Sequence, residues 1–324
     1  MRRQFISTAY GKLLLVALFL IIPLKPSFAE ETVRFGYLQS DLHHLAFFVA
    51  TEKGFFRNIG AKVEIAGVFR AGPEMMSAFA TDALDIGYVG AAPTVTATAN
   101  AKVGLSILAQ ANLEGSALVI RKDGTARSLR DLRGNVIAIP GHSTVQDFLL
   151  GRMLRQTGMT TGDVQTIVMK PPEMIGALDQ KQIDGFIAWE PHPAKAVTMG
   201  VGKVLLRSGE IWPDHPCCVL VVSKKFSQAH PEIIRNIVQA HVRATRFIRD
   251  NPAESLKIAR EYTGMDEKTV KLAIKNIKFE FHPAIEGLEE YVQYMMESRY
   301  IKIADPSGFS RGLVDKSFLY PADK

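Results

Sequence analysis

The chain has 324 residues, of which 47% are apolar and 22% charged, and its formal net charge is +6. Four of its 39 basic residues precede position 30, and all 33 acidic residues follow position 29. The rest of the chain therefore has 35 basic and 33 acidic residues, and its net charge is +2. This small excess excludes a nucleic-acid-binding role that depends on a basic surface.

The first 29 residues have the pattern of a secretory signal peptide. Arg2 and Arg3 give a positive start, residues 13–22 form an unbroken apolar run, and Ser27-Phe28-Ala29 places small residues before a cleavage site. The run is shorter than the ~20 apolar residues of a membrane helix. We expect cleavage after residue 29 and a periplasmic location; a retained N-terminal anchor is the alternative.

After residue 30, short β-branched segments alternate with helical patterns, which is typical of sheets covered by helices on both faces. Helices are predicted after Ser40, Gly72, Pro93 and Ser143. Ten strands are predicted, at 33–37, 62–66, 86–89, 105–109, 117–121, 136–139, 165–169, 186–188, 203–206 and 219–223. The last hundred residues are predicted to be mostly helical, with helices at 231–249, 252–263, 267–277 and 286–298.

Two stretches of the chain repeat one another without a gap, one from Pro73 to Asp85 and the other from Pro172 to Asp184. Each has proline at the start of a helical pattern and then a short apolar strand, so we predict two similar α/β lobes. Chance similarity between two amphipathic helices is the alternative. Ligands bind beyond the carboxyl ends of such strands, so Gly90-Ala91-Ala92 and Trp189-Glu190-Pro191 should face each other across a cleft.

The order of the strands predicts where the chain passes between the lobes. Residues 30–115 form the first part of lobe 1, residues 116–217 form lobe 2, and residues 218–324 return to lobe 1. Two crossovers, near Ser116 and Cys217, would act as a hinge.

The adjacent Cys217 and Cys218 are too close for an unstrained disulfide. We predict that they are small apolar residues at the start of a strand, with a reactive thiol as the alternative.

Loops that follow the strands supply the candidate ligand-binding residues. Helix N-termini carry free N–H groups and partial positive charge, so small and hydroxyl residues there favour an anion, although Ser143 or Thr144 as a simple cap is the alternative. Glu190 suggests a ligand with an amine, or a side chain turned to solvent. Trp189 would be an apolar wall of the cleft or part of the core. These loops contribute Gln39, Ser40, Arg70, Gly90, Ala91, Ala92, Thr94, His142, Ser143, Thr144, Trp189, Glu190 and His215.

Motifs for cofactor, metal or nucleophilic chemistry are not found. There is no dinucleotide fingerprint or Walker loop, no pair of histidines with metal-ligand spacing, and no nucleophile elbow. We therefore predict no catalytic residues, no metal site and no cofactor.

Several segments in order resemble the nitrate/alkanesulfonate/taurine-type solute-binding proteins of ABC importers. They are VRFGYLQS, FFRNIGAKVEI, ALDIGYVGAAP, SLRDLRGNVIAIPGHST, ALDQKQIDGFIAWEP and HPCCVLVVSKKF. The resemblance implies a class II periplasmic-binding fold, with two mixed sheets flanked by helices, that closes on a small ligand. It also implies that Ser116 lies with the other cleft residues. The cysteine-rich motif of the thiamin-pyrimidine-synthesising relatives is absent, which weakens an enzymatic interpretation.

We therefore expect a monomeric periplasmic protein that captures a small anionic organic solute (a sulfonate, taurine or nitrate) and performs no chemistry. Its partners would be the permease and ATPase of an ABC importer, not nucleic acid. One alternative is a small-metabolite enzyme that uses Glu190 with His142 or His215 as acid and base. Another is a ligand domain that docks on a membrane receptor.

Overall fold

The computed structural model describes residues 31–320, so the predicted signal peptide lies outside the described residues. No helix within 31–320 has the length and apolar character needed to cross a bilayer. Twelve strands are present in this part of the chain: β1 (Thr32–Leu38), β2 (Lys62–Phe69), β3 (Ile86–Gly90), β4 (Leu105–Gln110), β5 (Asn112–Glu114), β6 (Ser116–Arg121), β7 (Val136–Ile139), β8 (Gln165–Val168), β9 (Gly185–Trp189), β10 (Gly202–Arg207), β11 (Cys218–Ser223) and β12 (Ile277–Phe279).

Helices cover the sheets and make up most of the C-terminal third. The α-helices are α1 (Leu45–Glu52), α2 (Gly72–Ala80), α3 (Ala91–Asn100), α4 (Val145–Gln156), α5 (Pro171–Asp179), α6 (His192–Thr198), α7 (Ser208–Ile211), α8 (Lys224–Ala229), α9 (Pro231–Asp250), α10 (Pro252–Thr263), α11 (Glu267–Ile274), α12 (Ile285–Glu297) and α13 (Pro306–Leu313). Short 3₁₀ turns lie at Leu42–His44, Leu129–Leu132, Thr161–Asp163 and Lys316–Phe318.

Two five-stranded mixed sheets form the centres of the two lobes. The first has the order β2-β1-β3-β11-β4 and the second β8-β7-β9-β6-β10. In each sheet, one strand runs antiparallel to both its neighbours, β11 in lobe 1 and β6 in lobe 2. Each of these strands comes directly after the chain has entered from the other lobe. This is the predicted α/β class, with the same topology in both sheets. The residue boundaries given above for the lobes stay a prediction.

The repeat seen in the sequence is a repeat in structure. Helix α2 leads to β3, and α5 leads to β9, which occupies the same position in its own sheet. The aspartate that ends each copy makes the same contact. Asp85 Oδ2 accepts a hydrogen bond from Arg34 N at 2.8 Å, and Asp184 Oδ2 accepts one from Val136 N at 2.9 Å. Each carboxylate therefore ties the start of its strand to the neighbouring parallel strand, β1 for Asp85 and β7 for Asp184.

Each of the ten predicted strands is present, with small shifts at the ends. Strands β5 and β12 were not predicted; they pair with each other, antiparallel, beside the crossover. The helix predicted for 267–277 is wrong at its end, because α11 stops at Ile274 and Ile277 begins β12. Ile277 and Phe279 are buried while Lys278 is exposed, so pairing with β5 overrides a weak helical pattern.

Candidate functional site

The carboxyl ends of the strands from both lobes meet at a small cavity of about 10 Å³. A space of this size holds about one water molecule. Lobe 1 and its return crossover supply Leu38, Asp41, His43, Gly72, Gly90, Pro93, Cys217 and Cys218, and lobe 2 supplies Thr144, Val145, Gln146 and Trp189. The lobes are thus in contact around the cavity, and a solute of several heavy atoms can enter only if they separate.

Three of the residues predicted from sequence line this cavity: Gly90, Thr144 and Trp189. Gly90 ends β3, and a Cβ added there would lie 3.0 Å from Val145 Cγ2 of the opposite lobe. Thr144 is the N-cap of α4: its Oγ1 donates to Gly141 O (2.7 Å) and accepts from Asp147 N (3.2 Å). The predicted capping role of Thr144 and its place in the cleft are therefore both present in the structure.

Trp189 lines the cavity and carries a buried hydrogen-bond donor. The residue is only 3% exposed, and its indole Nε1 has no hydrogen-bond partner among the described residues. A buried N–H without a partner costs free energy, and a ligand acceptor would remove that cost. The prediction treated Trp189 only as an apolar wall or core residue and did not consider this N–H.

Four further predicted residues are buried beside the cavity without lining it. Ala91 N donates to Cys217 O at 2.7 Å, so this N–H of the α3 terminus is already used. Ala92 is fully buried in the same turn, and Thr94 Oγ1 donates to Gly90 O within the helix at 3.0 Å. Ser116 Oγ accepts from Gln146 Nε2 at 2.9 Å, which joins β6 to the start of α4.

Other predicted residues lie outside the cavity. Gln39 is exposed, and neither it nor Ser40, which has φ +50°, contributes to the cavity lining. The Arg70 guanidinium is exposed and is paired with Glu74 at 2.9 Å. These side chains follow the predicted strands as expected, but the loops turn them towards solvent.

His142 and Ser143 belong to the outer surface. The His142 side chain is 66% exposed, and its Nδ1 lies 3.8 Å from Asp147 Oδ2. Both residues line a groove of about 270 Å³ beside α2 and α3. Ser143 also lines a larger groove, about 560 Å³ between α4 and α12, which Thr144 shares. That larger groove therefore reaches the N-terminus of α4 from the outside.

Glu190 follows β9 but does not line the cavity. Its Oε2 accepts from Ala194 N at 3.0 Å and its Oε1 from Asn276 Nδ2 at 2.7 Å, with Arg207 Nη1 at 3.6 Å. The carboxylate is 1% exposed, and burial raises its pKa above the ordinary value. Neither of the two predicted environments, the ligand or solvent, is the one observed.

His215 is buried beside the return crossover and also does not line the cavity. It stacks on Trp212 at 5.5 Å between ring centroids, and burial lowers its pKa. The acid and base of the enzymatic alternative are therefore not assembled: no hydrogen bond joins Glu190 to His142 or His215.

Sequence reasoning missed a buried cluster of Asp41, His43, Cys217 and Cys218 on the cavity floor. His43 Nδ1 lies 3.4 Å from Cys217 Sγ, 3.7 Å from Cys218 Sγ and 3.6 Å from Asp41 Oδ1. His43 Nε2 is 3.0 Å from Gly115 O. These groups could hold a metal ion, either as His43, Cys217 and Cys218 or as Asp41, Cys218 and the neighbouring His44.

The charges of the cluster residues shift one another's pKa values. Burial opposes protonation of His43, but Cys217 and Asp41 outweigh it and raise its pKa to about 9. Burial raises the pKa of Asp41 to about 7. Burial also works against ionisation of Cys217, yet Cys218 and His43 bring its pKa below the ordinary value, whereas burial raises that of Cys218.

Several known proteins that are similar to this chain are named as solute-binding proteins. The taurine-binding periplasmic protein of Escherichia coli is 31% identical over 192 residues, which cover 58% of each chain. Two solved structures share the fold. The alkanesulfonate-binding protein SsuA from Xanthomonas axonopodis pv. citri, bound to MOPS, has a TM-score of 0.78 at 18% identity, over 89% of this chain and 100% of that one. The periplasmic nitrate-binding protein NrtA from Synechocystis has a TM-score of 0.79 at 17% identity, over 89% and 87%. The model of the NMT1-like family matches residues 28–261, and the chain belongs to that family.

Proposed function

We propose that the protein is the substrate-binding component of an ABC importer and captures a small anionic organic solute between its lobes. The observation that carries this proposal is the cavity itself, which residues of both lobes line at the carboxyl ends of their strands. A solute that touches both lobes binds the closed form better than the open form, and so shifts the equilibrium towards closure.

The N-terminus of α4 would hold the anionic group. Val145 and Gln146, the first two residues of this twelve-residue helix, line the cavity, and N–H groups of a first turn have no partner within the helix. The Trp189 N–H supplies a further unused donor. A sulfonate, a carboxylate or nitrate can accept from such donors. Because Glu190 is occupied within the protein, it gives no reason to require an amine on the solute.

We further propose that the protein works in the periplasm as a monomer, binds no nucleic acid and performs no chemistry. The permease and ATPase of the importer would receive the solute from the closed form. The names of the relatives support the periplasmic location and the importer partners, since two are periplasmic binding proteins, for taurine and for nitrate, and a third is an alkanesulfonate-binding protein.

Titration calorimetry with taurine, short alkanesulfonates, nitrate and a neutral pyrimidine tests the proposal. We expect one of the anions to bind and to raise the melting temperature by mass action. Trp189→Phe keeps an aromatic ring but removes the N–H, so affinity should fall about fivefold, the effect of losing one hydrogen bond of ~1 kcal/mol.

Ser143→Ala is the matched control, because Ser143 lies next to Thr144 but does not line the cavity. Its affinity should equal that of the wild type. Unchanged affinity in Trp189→Phe together with a loss in Ser143→Ala would move the site to the outer groove. Binding of none of the anions would refute the proposed solute class.

A further inference from the structure

The cavity floor brings four potential metal ligands together away from water. Asp41, His43 and Cys217 are 0% exposed and Cys218 is 3% exposed. Two residues come from the turn after β1 and two from the crossover into β11, more than 170 positions later. Buried thiols, imidazole and carboxylate groups require partners, and a cation can satisfy all of them at once.

The distances match the edges of a tetrahedral metal site. Bond lengths of about 2.3 Å to sulfur and about 2.05 Å to nitrogen or oxygen give ligand–ligand edges of roughly 3.5 Å for S···N and 3.3 Å for N···O. The observed edges are 3.4 and 3.7 Å from His43 Nδ1 to the two sulfur atoms, and 3.6 Å to Asp41 Oδ1. His43, Cys217 and Cys218 offer ligand atoms within 4.8 Å of one another, and Asp41 lies within that distance of Cys218, so coordination by all four requires a movement of the Asp41 carboxylate.

Hydrogen bonds select His43 over His44 as the ligand. His43 Nε2 lies 3.0 Å from Gly115 O, so it carries the proton and leaves the Nδ1 lone pair facing the thiols. A backbone carbonyl on the second ring nitrogen is the usual partner of a metal-binding histidine. His44 is the reverse: its Nδ1 accepts from Leu38 N at 3.2 Å, so its proton is on Nε2, 3.5 Å from Asp41 Oδ2. His44 Nε2 therefore faces the carboxylate but makes no hydrogen bond to it.

Two further observations fit a cation here. Asp41 Oδ2 is buried and has no hydrogen-bond partner among the described residues, so it is available as an acceptor. The cavity of about 10 Å³ suits an ion or a water molecule and is too small for an organic solute with the lobes closed.

We infer that Asp41, His43, Cys217 and Cys218 form a binding site for one thiophilic divalent cation of the zinc class. The thiols give up their protons when the ion binds, so the site has two thiolates, one neutral imidazole and one carboxylate. The site replaces our expectation, from the sequence, of no metal. It goes beyond the proposed solute binding and does not require it, because all four ligands belong to lobe 1 and its return crossover.

Cobalt(II) titration of the full chain, purified without a histidine tag and treated with a chelator, tests the inference. We expect one Co²⁺ per chain, with a thiolate-to-metal charge-transfer band and the visible spectrum of a tetrahedral site, and displacement by Zn²⁺. Absence of the charge-transfer band at saturating Co²⁺ would overturn the inference.

The unmodified protein allows a second test, since Cys217 and Cys218 are the two cysteines of the whole chain. A thiol reagent added under mildly denaturing conditions therefore reports on this site alone. Zn²⁺ should slow the modification of both thiols at least tenfold and a chelator should restore the rate. Equal rates with and without Zn²⁺ would refute the site even if every variant misfolded.

Variants identify the ligands. Cys217→Ser and Cys218→Ser should each weaken Co²⁺ binding at least about tenfold and reduce the charge-transfer band. His282→Gln is the control, because the His282 side chain is exposed and paired with Glu280, and it should bind as the wild type does. Calorimetry with the anions named above, on a chelator-treated sample, separates the two proposals. If this protein binds an anion but does not bind Co²⁺, only the metal site is refuted.

Discussion

A methyl group added at Gly90 should prevent full closure of the lobes. Gly90 has φ −59° and ψ 144°, so alanine fits its backbone without strain. The added Cβ would lie 3.0 Å from Val145 Cγ2 and 3.2 Å from Pro93 Cδ. Ordinary contacts start near 3.4 Å. Because Val145 belongs to the opposite lobe, separation of the lobes relieves the closer of these two contacts.

The size of the effect follows from the overlap. Overpacking a well-packed interior costs about 1–3 kcal/mol, and one methyl that overlaps by a few tenths of an ångström belongs at the lower end, about 1–2 kcal/mol. This cost falls on the closed form alone. Gly90→Ala should therefore weaken solute binding roughly 5- to 30-fold. The free energy of unfolding without solute should change by less than about 1 kcal/mol, since the open form escapes the clash.

Calorimetry for the solute and urea unfolding for stability, on the same samples, separate these effects. Val145→Ala removes the clashing methyl, so the double variant should recover affinity that Gly90→Ala loses. Gly176→Ala is the control: no atom lies within 4 Å of its added Cβ, and it lies in the exposed part of α5. It should leave affinity unchanged and add about 0.5–1 kcal/mol of stability.

Two results would refute the reasoning. Wild-type affinity in Gly90→Ala would mean that binding does not need this close approach of the lobes. Weak binding that Val145→Ala does not restore would mean that the methyl disturbs lobe 1 itself.

Three more predictions follow from buried contacts. Glu190→Ala leaves the buried Ala194 N–H without an acceptor and removes one of the two acceptors of Asn276 Nδ2, which keeps Leu272 O, so it should lower the free energy of unfolding by about 1–3 kcal/mol. The exposed Glu173→Ala should cost less than about 0.5 kcal/mol, and equal urea midpoints for the two variants would contradict this. Asp85→Asn should lower the free energy of unfolding more than Asp184→Asn does, because Asp85 also accepts two hydrogen bonds from the Arg34 side chain, at 3.0 and 2.6 Å. A larger loss in Asp184→Asn, measured by urea unfolding, would contradict this. Burial lowers the pKa of His241 to about 4. As the pH falls, the unfolded chain therefore protonates this histidine before the folded chain does. The free energy of unfolding should decrease by roughly 3 kcal/mol between about pH 6.5 and pH 4. His241→Gln should lose less stability than the wild type over this range, and parallel curves would argue against it.

Local sequence patterns were sufficient for most of the fold. Parallel strands covered on both faces have long apolar stretches, and all five residues of β3 and of β9 are buried. The repeat could be aligned because each aspartate after the helix makes the same structural contact, a hydrogen bond to the neighbouring parallel strand. Strand β12 was missed because three residues are too few for a periodicity, and only its partner β5 defines it.

The site was harder to predict than the fold, because a strand end fixes where a loop begins but not where its side chains point. Gly90 and Trp189 are the last residues of their strands, and both reach the cavity. Glu190 is one position further on and bonds to Ala194 and Asn276 instead. The segment 267–277, which contains Asn276, was assigned as plain helix, so no partner for the carboxylate was visible in the sequence.

The metal-ligating candidates were missed for a topological reason. His43 and Cys217 are 174 positions apart, and they meet because β11 inserts between β3 and β4. The sequence shows only adjacent histidines and adjacent cysteines, neither with the spacing of a local metal motif. A rule that pairs the turn after the first strand with the return crossover would have found them.

The cavity floor contacts the first crossover through one backbone carbonyl, that of Gly115. Gly115 lies directly before β6, at the first crossover, and its carbonyl accepts from Glu190 N of lobe 2 at 2.9 Å and faces His43 Nε2 of lobe 1 at 3.0 Å. Gly115 has φ +87°, and a Cβ there would lie 2.3 Å from His43 Nε2, so glycine is required on both counts. An occupant that fixes the His43 ring also fixes this carbonyl, and with it one end of the first crossover. Occupancy of the floor and the position of the lobes should therefore be coupled, because the ring cannot turn without giving up a bond to the hinge.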